Sequence, residues 1–245
     1  LKVDTVAPTL IDVLQEGARI RLRLSERIEL DPALKTSDFS VRAGTRSINI
    51  SSIRSEINAD GNSDLILQLS ESLNATSVVK ISYGGTQVYD GTWNRLASFS
   101  NTTISHLVSE QTIHAPAYSY TTLELSGSSN SNATGNQYDN IIIGNPGDNI
   151  LTGGNGADRL IGGLGRDTVL LTSYSESLLV DPITGRDGYD WVSDYAIGTD
   201  IIDGPEVIAA NDLVRVETAT SFSASALNGL LRDTPLPARG GAVLQ

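Results

Sequence analysis

The 245-residue chain contains no cysteine and no methionine, only two histidines and only 5% aromatic residues. Without cysteine, neither a disulfide framework nor a thiolate metal site is available, so stability outside a cell would rest on packing or on a hard metal ion. His106 and His114 leave almost nothing for a histidine-rich transition-metal site. Basic residues are also scarce: 17 Lys plus Arg face 29 Asp plus Glu, a formal net charge of -12 with a pI near 4.5. That balance argues against nucleic acid as a partner and favours cations. No apolar run approaches the ~18 residues of a membrane-spanning helix, and no charged-then-apolar leader opens the chain. Lacking an initial methionine, it reads as a piece of something longer.

At 26.0 kDa there is material for two domains of ordinary size. Residues 1–106 read as short strands: "RIRLRLSE" (19–26), "SDFSVRAG" (37–44), "RSINISSI" (46–53), "DLILQLSE" (64–71), "VVKISYGG" (78–85) and "SFSNTTI" (98–104) alternate polar and apolar residues. Turn formers separate them, among them Asp60-Gly61-Asn62, Gly84-Gly85 and Asp90-Gly91. Strands at this spacing predict a β-sandwich. The segments "VDTVAPTL", "LSE", "SDFSV" and "VYDGTWNRLASF" resemble bacterial immunoglobulin-like modules, which occur in tandem in large surface proteins.

Residues 107–125 show no helical period and read as irregular strands opening a second domain. The following "SGSSNSNATGNQYDNIII" has the Gly, Ser and Asn content of a linker. A repeat overrides that reading. Four rows of nine begin at Gly135, Gly144, Gly153 and Gly162: GNQYDNIII, GNPGDNILT, GGNGADRLI and GGLGRDTVL. Their eighth positions, Ile142, Leu151, Leu160 and Val169, are all apolar, as a solenoid requires and a flexible linker does not.

Glycine at the first, second and fourth positions permits positive φ and a tight turn that aims carbonyls inward. The sixth-position Asp adds a carboxylate, and together these supply the hard oxygens that calcium prefers. Each row is then half a coil of ~18 residues, with same-side turns coming from alternate rows. The rows match the RTX nonapeptide family in pattern. This resemblance implies a parallel β-roll that folds on meeting calcium, after export of the unfolded chain by a type I secretion route. Carried over by position, it implies Asp158 and Asp167 as side-chain ligands and Gly153, Asn155, Gly162 and Leu164 as carbonyl ligands. Asn140 and Asn149 hold the sixth position of the first two rows, the second of which opens at Gly144. Being neutral, they imply sites that are weaker or richer in carbonyl oxygen. Pairing the 135 turn with the 153 turn, and 144 with 162, gives about two ions.

The next row, "LTSYSESLL" (171–179), has no glycine, so the roll should end or be interrupted there. Beyond it, "GRDGYDWVSDYAIGTDIIDGP" is similar to the segment that closes many RTX rolls. There Asp190 and Asp194 are the favoured additional ligands, with Asp200 and Asp203 as further candidates. The stretch from "LLVDPITG" to "NDLVRV" is also similar to the bluetail domain of cyanobacterial surface proteins, and "ASALNGLLRD" (224–233) has weak helical spacing. The domains expected are therefore an immunoglobulin-like sandwich (1–106), an RTX roll (107–180) and a C-terminal cap or tail (181–245), an all-β architecture.

Elsewhere the plainer interpretations prevail. Asp4, Glu26, Asp60 and Asp90 could hold calcium at a module junction but read first as solvated turn carboxylates. Trp93 and Trp191 read as packing residues, and His106 and His114 as structural or exposed. No HExxH, nucleophile elbow or P-loop is present, and "GGLGRD" belongs to the nonapeptide register. The expectation is a non-enzymatic, secreted, calcium-binding surface or matrix protein, adhesin-like or a subunit of a layer or filament, whose copies or neighbours associate. The alternative is the accessory region of an exported hydrolase whose catalytic domain lies outside this chain.

Overall fold

The computed structural model describes residues 4–73, 77–115, 120–172, 190–196 and 198–204, together with the backbone of two short strands at 214–215 and 243–244. Most of the glycine-free row, the helical spacing at 224–233 and most of the bluetail-like stretch lie outside the described residues. The elements in chain order are β1 (Leu10–Glu16), β2 (Arg19–Leu24), β3 (Glu29–Leu30), a 3-10 turn (Thr36–Asp38), β4 (Phe39–Ala43), β5 (Arg46–Ile48), β6 (Ile50–Ile57), β7 (Ser63–Leu69), β8 (Val79–Tyr83), β9 (Val88–Tyr89) and β10 (Phe99–Thr103). They continue with β11 (His106–Ser109), β12 (Ile113–His114), β13 (Thr122–Leu125), β14 (Ala133–Thr134), β15 (Ile141–Ile143), β16 (Ile150–Thr152), β17 (Arg159–Ile161), β18 (Thr168–Leu170), β19 (Trp191–Val192), β20 (Ile201–Asp203), β21 (Val214–Arg215) and β22 (Val243–Leu244). The fold is all-β, and among the described residues no helix is long and apolar enough to cross a membrane. The chain divides into two compact units, residues 1–108 with 118–120, and residues 109–117 with 121–245.

In the first unit one sheet runs β11-β1-β2-β7-β6 and another β10-β8-β4-β5, with β3 and β9 forming a separate ribbon. All these pairings are antiparallel except that of β1 with β11. The chain passes from the second sheet to the first between β10 and β11, at the fully buried Ile104. Alternation dictates which side chains go inside: Ile20, Leu22 and Leu24 of β2 are buried while Arg19 and Arg23 are exposed. Val41, Ile81 and Tyr83 line the core from the other sheet, where Tyr83 stacks on Phe39 with ring centroids 4.6 Å apart. Each such burial contributes roughly 1.5–3 kcal/mol. The buried Gln15 is satisfied inside this unit, accepting from the Tyr120 hydroxyl at 2.6 Å and donating to the Leu73 carbonyl. His106 is a structural residue, buried and 2.9 Å from Asp12, whose carboxyl it holds below its ordinary range.

Trp93 departs from its expected packing role. It is 69% exposed with φ 71°, and its ring stacks on Tyr89 at 4.5 Å. The cause is the Asp90 side chain, which accepts amide hydrogens from Thr92 and Asn94 and so turns the intervening residue outward. Asp4, Glu26 and Asp90 come together with ligand-capable atoms within 4.8 Å of one another, and mutual repulsion adds to desolvation in raising the Glu26 carboxyl. Asp60 is not part of that group.

The second unit consists of two parallel sheets, β13-β15-β17-β19-β22-β21 and β12-β14-β16-β18-β20. Ile142 pairs with Leu160 and Leu151 with Val169, a register of 18 residues, so alternate rows stack and each coil takes two rows. Leu123, Ile142, Leu160 and Val192 form one buried apolar column, and Ala133, Leu151 and Val169 a second. The stack extends back beyond the glycine rows, with β12 on β14 and β13 on β15. Residues 126–134, "SGSSNSNAT", are a degenerate row whose Ala133 pairs with Leu151. Both sheets continue with β19 on β17 and β20 on β18.

Candidate metal centre

Between the strands lie the row-to-row turns, and the sixth-position residues order them into two ladders. In the first, the Asn140 amide donates to Asp158 Oδ1 (2.7 Å) and the Asp158 amide to Asp190 Oδ1 (3.1 Å). In the second, the Asn149 amide donates to Asp167 Oδ1 (2.9 Å) and the Asp167 amide to Asp200 Oδ1 (3.0 Å). Each carboxylate thereby ties one coil to the preceding one. Asp190 and Asp200 hold the equivalent places beside β19 and β20, although the first is 32 residues beyond its predecessor.

The first-position glycines act through space and not through positive φ as expected. A Cβ on Gly153 or Gly162 would overlap the Oδ2 atom of Asp158 or Asp167, and one on Gly135 or Gly144 would overlap the carbonyl oxygen of Gly153 or Gly162. None of these four glycines has positive φ. Positive φ belongs to the second and fourth positions of the third and fourth rows, Gly154, Gly156, Gly163 and Gly165, at 93° to 122°. At those positions the carbonyls of Asn136, Asn145 and Gly147 approach from the neighbouring turn. Carbonyl oxygens therefore converge from both sides on the space between stacked turns.

Carboxylate oxygens face the same space. Asp158, Asp167 and Asp190 are all at most 3% exposed, and their Oδ2 atoms are buried. Asp167 Oδ2 accepts no hydrogen bond. A buried carboxylate left so costs several kcal/mol unless it is neutralised or paired. Burial pushes the Asp167 carboxyl up to about 6; the Asn149 amide works against this, and the charges of Asp200, Asp194 and Asp148 add to it. Carboxylates, carbonyls and an excess of negative charge suit a hard divalent cation, and among these calcium accepts such a mixed oxygen set. Asp158, Asp167 and Asp190, with the carbonyls of Gly153 and Gly162, are the residues placed to hold it.

The other expected ligands lie differently. Asp194 is exposed, and its two oxygens accept the amides of Gly162 and Gly163 at 2.8 Å each, so it clamps the fourth row's turn. Asp200 spends its second oxygen on the Ala196 amide. Asn155 and Leu164 sit at exposed turn tips, Leu164 at 74% exposure. Asn140, Asn149 and Gly144 are in the stack, but both asparagines direct an oxygen to an amide of their own row, that of Asn136 or Asn145 at 2.8 Å. Asp139 and Asp148, which the spacing argument passed over, accept the Ala157 and Arg166 amides of the next coil. Their fifth-position recurrence in the first two rows was the available signal.

No curated protein matches the chain. Among solved structures it is similar to the N-terminal part of the bacterial S-layer protein SbsC, at 10% identity over 40% of this chain and 24% of that one, with a TM-score of 0.32. It is also similar to domains 1–6 of SbsC, at 12% identity over 40% of this chain and 14% of that one, TM-score 0.32. Residues 134–169, the segment holding the ladders' first four turns, match the family described as RTX calcium-binding nonapeptide repeat, in four copies.

Proposed function

We propose that this chain belongs to an extracellular structural protein of a cell surface or matrix, adhesin-like or a layer or filament subunit, whose roll is completed by calcium. The carrying observation is the buried Asp167 carboxylate, with an oxygen that accepts no hydrogen bond, in a gap lined by carbonyls and other carboxylates. Calcium, when bound, supplies the positive charge that offsets this crowding. The chain's own residues do the rest: Oδ1 atoms tie adjacent coils, glycines leave room for the carboxylates, and the apolar columns exclude water. Such a fold suits a compartment where calcium is millimolar, and a cysteine-free chain gains from a metal what disulfides give other exported proteins. The first unit, read as an immunoglobulin-like module, acts as spacer or contact surface, and the role is one of binding and assembly without catalysis.

Calorimetric titration of the full chain with calcium, beside the Asp158→Asn, Asp167→Asn double variant, tests the metal. Saturable binding that the variant weakens at least tenfold is expected; equal binding by both would refute the assignment. Location is tested by antibody labelling of intact cells that make the whole protein. Labelling obtained only after lysis would contradict a surface role.

A further inference from the structure

The four rows carry two kinds of turn, and the difference falls on donors. In the third and fourth rows the second position is glycine and the sixth is Asp, so neither side chain can donate a hydrogen bond. In the first two rows both positions are asparagine, and the positive-φ residues of the later rows have no counterpart.

The second row shows what the asparagines do. Asn149 Nδ2 donates to the Ser131 carbonyl at 2.7 Å and to Asn145 Oδ1 at 3.0 Å. Asn145 Nδ2 donates to the carbonyls of Ser126 and Ser129, each at 3.0 Å. Their oxygens accept backbone amides, Asn149 Oδ1 that of Asn145 and Asn145 Oδ1 that of Gly147. Both side chains are at most 4% exposed. Since every oxygen faces an N–H and every NH2 faces a carbonyl, the orientation of both amides is fixed. Three carbonyls of the degenerate row thus point at side-chain amide hydrogens, where the next gap presents the buried Asp167 carboxylate, whose Oδ2 accepts no hydrogen bond.

We infer that Asn145 and Asn149 take the place of a calcium ion between the 126–131 and 144–149 turns, so that the amino-terminal coil forms without metal and seeds the calcium-dependent coils after it. This rests on the proposal that those later coils bind calcium. A cation placed in the asparagine-filled gap would face two NH2 groups, whereas the neighbouring gap above it offers the Asp167 carboxylate. Seeding follows from the architecture, because in a solenoid each coil needs a formed neighbour more than it needs the rest of the molecule.

Amide hydrogen exchange on the full chain, in chelator and in millimolar calcium, separates the two claims. Asn145, Gly147, Asp148 and Ile150 donate within residues 126–152 and report the seed. Ala157, Arg159, Arg166 and Thr168 donate down from the later coils. Expected is protection of the first set in both conditions, and a gain of at least tenfold in the second set with calcium. If the first set also needs calcium while the second responds as expected, the seed is refuted and calcium binding stands. If the second set is equally protected in chelator, the calcium proposal itself fails. Asn149→Asp removes the donor and adds a charge, so protection of the first set in chelator should fall at least tenfold; no change would overturn the inference.

Discussion

Asp167 and Asn149 are stacked equivalents, yet they meet the same burial oppositely, one with a carboxylate oxygen that accepts no hydrogen bond and the other through its own hydrogens. Asp167→Asn alone should therefore weaken calcium binding at least tenfold, ~1.4 kcal/mol, while raising the stability of the metal-free roll; calorimetry and thermal melts in chelator check the two halves. The raised Asp167 carboxyl gives a pH dependence of definite sign. Its folded value of about 6 lies above the ordinary 3.8, so the metal-free fold holds the proton more tightly than the unfolded chain does. This contribution is fully present below the ordinary value and is lost as pH rises through about 6. Calcium competes with that proton, so affinity should fall as pH is lowered through the same window. Dichroism in chelator at pH 5 and pH 8, with calorimetry at both, reads this directly; greater metal-free order at pH 8 would contradict it.

Turn and strand each have a distinguishing substitution. Gly153→Ala sets a methyl against the Asp158 carboxylate, and Gly156→Ala forces a side chain to φ 122° beside the Tyr138–Asp139 backbone. Each should destabilise the calcium-loaded roll by roughly 1–3 kcal/mol, whereas Gly84→Ala, which meets open space, should change stability by under ~0.5 kcal/mol. Leu160→Ala, in the apolar column, should cost roughly 2–5 kcal/mol by the same melts. Strands with one buried face were legible in the sequence because alternation marks them, as in β2, β4 and β8. β1 was not among those picked out: its burial does not alternate and a register shift interrupts it between Leu10 and Asp12. The degenerate row 126–134 keeps only Gly127 and Ala133 of the repeat pattern, and its turn is closed by later asparagines that no local motif announces. Asp190 and Asp200 regain their places only after residues that break the nonapeptide period, so three-dimensional stacking was needed to single out Asp200.

On the scale of the whole chain, a net charge of -12 in the absence of cysteine makes metal the natural source of cohesion. Neutralising the roll also removes repulsion between copies. Among the described residues β6 ends its sheet and offers backbone that another copy can cover, so copies should associate more readily with calcium. Sedimentation should show species larger than monomer at saturating calcium, and monomer alone would remove assembly from the account. The most direct test is a calcium titration of the full chain followed by far-ultraviolet circular dichroism, beside an Asp158→Ala, Asp167→Ala variant. A cooperative gain of β signal that the variant loses is the predicted result. A spectrum unchanged between chelator and millimolar calcium would show a metal-independent solenoid and contradict the central claim.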